Sequence, residues 1–240
     1  MKNIKADQGV DGFCVRISEL SKEEPLPRFK DWDPLYVLVV LGGHDLTTDE
    51  PNSVVLNSTE YIYHKDWDEA TFQNDIGLIK LPRTVTLNNI IKTVTWARGS
   101  ESYAHNVSTA IGWGETDIGR PLILREVTTT ILTNEACAAA DPVLADLIVP
   151  SHLCISGVGT VGTCRGDSGG PLLVDGVQVG ITSFGFINCT AAMPSMFTRI
   201  TEFNDWILEH AIDGSSSHQQ LFYSLLLSGV ISLVHFLYCI

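Results

Sequence analysis

From Pro171 to Phe184 the chain reads as two short apolar runs, Leu172-Leu173-Val174 and Val177-Gln178-Val179, joined by Asp175-Gly176. A two-residue type I′ loop needs positive φ at both positions, and Asp-Gly meets that need readily, so the segment predicts a β-hairpin. Similar texture recurs upstream. Leu35 to Leu41, Val54-Val55-Leu56, Ile76 to Leu81 and Val107 to Ile111 are apolar runs, and residues 125–132 alternate in part. Short strands separated by turns, with 20 glycines and 10 prolines spread along 240 residues, predict an all-β barrel or sandwich. A hydrophobic content of 45% is enough to bury a core as one or two compact units. One helix is expected near the end: Thr201 as N-cap, then Phe203, Trp206, Ile207 and His210 along one face. His210 in that setting is a packed or surface residue rather than a catalytic one.

The net charge of −13 repels phosphate backbones and excludes nucleic acid as the expected partner. Six cysteines are present (Cys14, Cys137, Cys154, Cys164, Cys189 and Cys239), and none forms the close pairs of a zinc site. The middle four lie in a Gly-rich region and read as two disulfides, hence an oxidising compartment. Sequons at Asn57, Asn106 and Asn188 point the same way. Met1 to Val10 is polar and charged and offers no signal peptide, which implies a missing start or one other than the natural start. Residues 1–36 show no sustained period and read as irregular. Residues 212–220 form a Ser-rich linker. Residues 221–240 are a hydrophobic tail with no Lys, Arg, Asp or Glu, long enough to cross a hydrocarbon core of ~30 Å. A GPI-attachment signal, a tail anchor, and sequence foreign to the folded domain are the three readings of that tail.

Chemistry is concentrated at Cys164-Arg165-Gly166-Asp167-Ser168-Gly169-Gly170-Pro171. A serine hydroxyl is a poor nucleophile at neutral pH, so it needs a base, a carboxylate to orient the base, and amide donors for the oxyanion. Glycines on both sides of Ser168 let backbone N–H groups approach a substrate carbonyl.

At these residues the sequence resembles the chymotrypsin/trypsin family of serine endopeptidases, and is most similar to arthropod chymotrypsin-like and collagenase-like members. Asn74-Asp75-Ile76-Gly77-Leu78 resembles the family's catalytic-aspartate strand, and Ile111-Gly112-Trp113-Gly114 its Gly-Trp-Gly turn. Ser183-Phe184-Gly185 resembles the strand that pairs with substrate, with Phe in place of Trp. The resemblance covers 37–211 and implies two antiparallel β-barrels, the first incomplete and the second complete, with a C-terminal helix. It implies Ser168 as nucleophile, Asp75 as the orienting carboxylate, and the N–H groups of Gly166 and Ser168 as the oxyanion hole. Asp167 resembles the residue that pairs with the amino terminus released on zymogen cleavage. Cys137–Cys154 and Cys164–Cys189 match two family disulfides. Protein or peptide substrates are implied as partners, with protease inhibitors as a further class. No cofactor or metal is implied.

By the same resemblance Gly162 lies at the floor of the primary pocket, with Ser183, Gly185 and Ser195 around it. An uncharged pocket disfavours cleavage after Arg or Lys. One element is missing. The family's Ala-Ala-His-Cys segment would fall near residues 25–35, and Pro25 to Leu35 contains neither His nor Cys. His44 and His64 match non-catalytic positions. Loss of the base costs on the order of 10⁶ in turnover, about 8 kcal/mol of barrier. The expectation is a serine-endopeptidase relative that is inactive as this chain. A non-catalytic homologue that binds peptides or proteins is the alternative, and the tail adds a membrane-tethered version of either.

Overall fold

The computed structural model describes residues 36–211 throughout, with the backbone of 2–3, 16–18 and 223–226. In chain order the first strands are β1 (Lys2–Asn3), β2 (Arg16–Ser18), β3 (Val37–Leu41), β4 (Val54–Ser58), β5 (Glu60–Tyr63), β6 (Gly77–Lys80) and β7 (Thr95–Trp96). Next come β8 (Val107–Gly112) and β9 (Arg125–Leu132), then helices α1 (Asn134–Ala138) and α2 (Pro142–Leu147). Strands β10 (His152–Ile155), β11 (Pro171–Val174), β12 (Val177–Phe184) and β13 (Ser195–Arg199) follow, then α3 (Asn204–Ala211) and β14 (Tyr223–Leu226).

The second half closes on itself. Its ladder runs β9-β10-β13-β12-β11-β8, and β8 also pairs with β9, giving an antiparallel barrel of six strands. The Asp-Gly hairpin forms within it: Val174 pairs with Val177, and Asp175 and Gly176 sit at φ 49° and 78°. On β9, Val127 and Ile131 turn inward while Thr128 and Thr130 face out, which is the alternation of a strand wet on one side. Strands β10, β11 and β13 are buried along their whole length, the polar side chains of His152, Ser195, Thr198 and Arg199 included. Phe197, Leu153, Ile155 and Leu172 fill the barrel with Val127 and Ile131.

Among the described residues the first half forms no closed ring. It consists of two three-stranded sheets, β2-β3-β4 and β14-β6-β5. Val37, Val39 and Leu41 alternate inward from β3 against Leu56, Ile79, Val85 and Ile91. This is the incomplete first barrel implied by the family resemblance. Two strands, β1 on β9 and β2 on β3, fall within the segment 1–36 that reads as irregular from sequence. A sheet edge presents unpaired N–H and C=O groups, and it orders an extended segment that carries no strand pattern of its own.

Among the described residues no helix is long and apolar enough to cross a membrane. Of the hydrophobic tail, Tyr223–Leu226 forms a strand on β6; the linker and the rest of the tail lie outside the described residues, as do Cys14 and Cys239. The carboxyl-end helix also starts later than expected. Thr201 lies inside a 3-10 turn, Ile200–Phe203, and α3 begins at Asn204. The Asn204 side chain ties this junction by donating to Thr201 O at 3.2 Å and accepting from Trp96 Nε1 at 3.2 Å. Phe203 and Ile207 are buried as the helical spacing requires. The His210 Nδ1–H donates to Trp206 O at 2.8 Å.

Candidate active site

Ser168 sits in a tight loop that feeds β11. Asp167 N donates to Cys164 O and Gly170 N to Asp167 O, at 3.0 and 2.9 Å. Gly166 and Gly169 adopt φ of 100° and 79°, values that a side chain would oppose. Among the described residues, the N–H groups of Gly166 and Ser168 meet no acceptor and the Ser168 hydroxyl makes no hydrogen bond. The amides of Asp167, Gly169 and Gly170 are all used within the fold.

Asp167 is the buried anchor of this loop. Its Oδ1 accepts from Gly114 N at 2.8 Å and its Oδ2 from Cys164 N at 2.9 Å. Burial pushes its pKa up to about 6, while the two amide donors pull it back. A Cβ at Gly112 or Gly114 would lie 2.0 or 2.3 Å from the carboxylate, so the Gly-Trp-Gly turn is glycine because Asp167 occupies the space. Disulfide Cys164–Cys189 fixes the loop's start, and Cys137–Cys154 ties α1 to β10.

Asp75 stands two residues before β6 and is only 2% exposed. Its Oδ2 accepts from Ser183 Oγ at 2.6 Å, and its backbone carbonyl accepts from Thr198 Oγ1 at 2.7 Å. Desolvation raises its pKa well above the usual carboxylate range, against the Ser183 hydrogen bond, which lowers it. Thr182, next to Ser183, receives Gly169 N–H at 2.7 Å and donates its own N–H to Gly170 O at 2.8 Å. The end of β12 therefore joins Asp75 on one side to the residues after Ser168 on the other.

Ser183, Phe184 and Gly185 lie at that strand end, and Gly162 faces Ser195. Thr163 N donates to Ser195 Oγ at 3.0 Å, and a Cβ on Gly162 would come within 2.8 Å of the same oxygen. Nothing lies within 4 Å of a Cβ built on Gly185. Gly162, Ser183, Gly185 and Ser195 carry no formal charge.

The described histidines are held elsewhere. His44 Nδ1 lies 3.9 Å from Glu50 Oε1, and its backbone N–H donates to Glu50 Oε2 at 2.6 Å. His64 packs on Phe203 and Trp206, and burial lowers its pKa. His152 is buried against Phe72 O and Phe184. Among the described residues no histidine hydrogen-bonds to Asp75 or Ser168. Sequence reasoning missed two contributors, the glycines that admit Asp167 and the His152–Phe72 contact. The Gly-Trp-Gly motif was the available signal for the first; the second had none.

Residues 33–207 match the protein family described as Trypsin. Brachyurin from Leptuca pugilator is 39% identical over 176 residues, 72% of this chain and 76% of that protein. Chymotrypsin from Phaedon cochleariae is 32% identical over 180 residues, 73% of this chain and 63% of that protein. The solved structure of HL collagenase superposes with a TM-score of 0.73 at 23% identity, covering 86% of this chain and 95% of the other. The chain belongs to the trypsin family of chymotrypsin-like serine peptidases.

Proposed function

We propose that Ser168 is the family nucleophile, Asp75 its orienting carboxylate, and the N–H groups of Gly166 and Ser168 the oxyanion donors. In this reading the residues serve peptide-bond hydrolysis at an uncharged primary pocket formed by Gly162, Ser183, Gly185 and Ser195. The observation that carries it is the connection through β12, which holds a buried carboxylate and a serine with a free hydroxyl at one strand end. Asp167 would seat the nucleophile loop through Gly114 and Cys164. The two disulfides and the family suggest a secreted protein that acts on proteins or peptides, and protease inhibitors fit the same cleft.

The same reading makes this chain inactive. No histidine adjoins Asp75 among the described residues, and the upstream stretch 25–35 contains none. Without a base the hydroxyl keeps its proton at neutral pH, and the oxyanion donors alone give a small residual rate. A non-catalytic peptide-binding role is the second reading, favoured by the Ser168 hydroxyl, which no described group engages. Purified chain is assayed on peptides with apolar side chains before the scissile bond. The expected result is no turnover above that of Ser168→Ala. Turnover abolished by Ser168→Ala overturns the claim of inactivity.

A further inference from the structure

Just before Asp75 the chain takes an unfavourable path. Phe72 and Asn74 adopt φ of 54° and 58°. Asn tolerates this region through its short polar side chain, but an aromatic residue does not, and such geometry persists only where the surroundings impose it. We propose that His152 is a positioning residue that imposes it, clamping the Phe72 carbonyl of the open half onto the closed barrel so that Asp75 is correctly placed; only the role of Asp75 rests on the serine-peptidase reading.

His152 Nε2 lies 3.0 Å from Phe72 O, across 80 residues of sequence. A carbonyl only accepts, so Nε2 carries the hydrogen; Nδ1, 3.4 Å from Val149 N, accepts. A second grip runs through the rings. The imidazole meets Phe184 edge-on at 5.2 Å, and Phe184 stacks on Phe72 at 4.5 Å and 15°. His152 is itself anchored, since its backbone carbonyl accepts from Arg199 at 3.0 Å and from Asn134 at 3.1 Å. Burial lowers the imidazole pKa and the charge of Arg199 adds a smaller lowering; the carbonyls of Phe72 and Leu147 oppose this without reversing it, so the ring stays neutral at neutral pH. With Ser183 and Thr198, His152 makes three barrel side chains that donate to the segment 72–75.

Two substitutions separate clamping from packing. His152→Gln keeps an N–H donor near Nε2, and His152→Leu keeps bulk without it. Native-state hydrogen exchange is followed at Asp68 and Ile76, whose amides donate to Gln73 O and Asn74 O. His152→Leu is expected to speed both by roughly five- to tenfold relative to the barrel amides, with His152→Gln near wild type. Equal exchange in the two variants overturns the proposal. Imidazole ¹⁵N NMR of the unmodified chain gives an independent check that survives a variant failing to fold. A ring protonated at Nε2 supports the clamp, and one protonated at Nδ1 refutes it. Neither readout uses turnover, so a chain without peptidase activity leaves the outcome intact.

Discussion

The two halves of the molecule solve the edge problem differently. In the second half six strands close into a barrel, with β1 and β7 added at β9 and β12, and Ser168 and Asp167 sit on the loop that enters β11. In the first half the described residues form two separate three-stranded sheets, with β2 and β14 as outer strands on β3 and β6. Asp75 belongs to this half, yet the hydroxyls that hold it, from Ser183 and Thr198, come from β12 and β13 of the closed one, and the imidazole on β10 holds Phe72 three residues earlier. The carboxylate is thus held by side chains of the barrel.

Core truncations test that contrast most strongly. Phe197 is fully buried at the centre of the closed barrel, and Phe197→Ala is expected to cost about 3–5 kcal/mol in urea unfolding. Leu56→Ala in the open half is expected to cost about 2–3 kcal/mol, with faster exchange confined to β3–β6. Matching losses, with exchange raised throughout both halves, would show one cooperative unit and break the comparison.

A pH series sharpens it from the charged side. Asp167 titrates from an ordinary 3.8 up to about 6 in the folded protein, so the folded state binds the proton more tightly. That group's stabilisation is present below about pH 4 and is lost as pH rises through about 6. By linkage the loss is about 3 kcal/mol. His152 acts in the opposite direction: its lowered pKa takes stability away as pH falls below 6.5. Asp75, also raised, shares the sign of Asp167. The difference between wild type and Asp167→Asn cancels the shared terms. Its unfolding free energy should carry the Asp167 slope between pH 4 and 6, on top of a constant cost from an amide facing Gly114 or Cys164 N–H. A flat difference across that range would mean the carboxyl does not titrate there.

What the sequence revealed follows how local each determinant is. The Asp175-Gly176 hairpin was legible because its turn chemistry and flanking strands lie within a few residues. The loop around Ser168 was legible because its glycine spacing reports a backbone constraint in place. Asp75 carried a weaker signal, an acidic residue just before an apolar strand, and needed the family resemblance to single it out. Long-range contacts left no such trace. Nothing at His152 distinguishes a carbonyl clamp from a core histidine until Phe72, 80 residues away, is brought beside it. Thr201 reads as a cap from composition alone, but packing of Phe203 and the ties made by Asn204 move the helix start.

The smallest expected effect concerns Ser168, the proposed nucleophile. Asp167, Gly169 and Gly170 are held by hydrogen bonds within the fold, whereas no described group bonds to the Ser168 hydroxyl. Ser168→Ala removes one half-buried oxygen that the loop does not use, so the change in unfolding free energy should stay within about 0.5 kcal/mol. Thermal and urea unfolding measure this directly. A loss above about 1 kcal/mol would mean that the hydroxyl braces the loop, and the closed half would then share the structural burden of its own reactive residue. A silent substitution instead separates two neighbours in the closed half: Asp167 holds the loop, and the Ser168 hydroxyl carries no structural load.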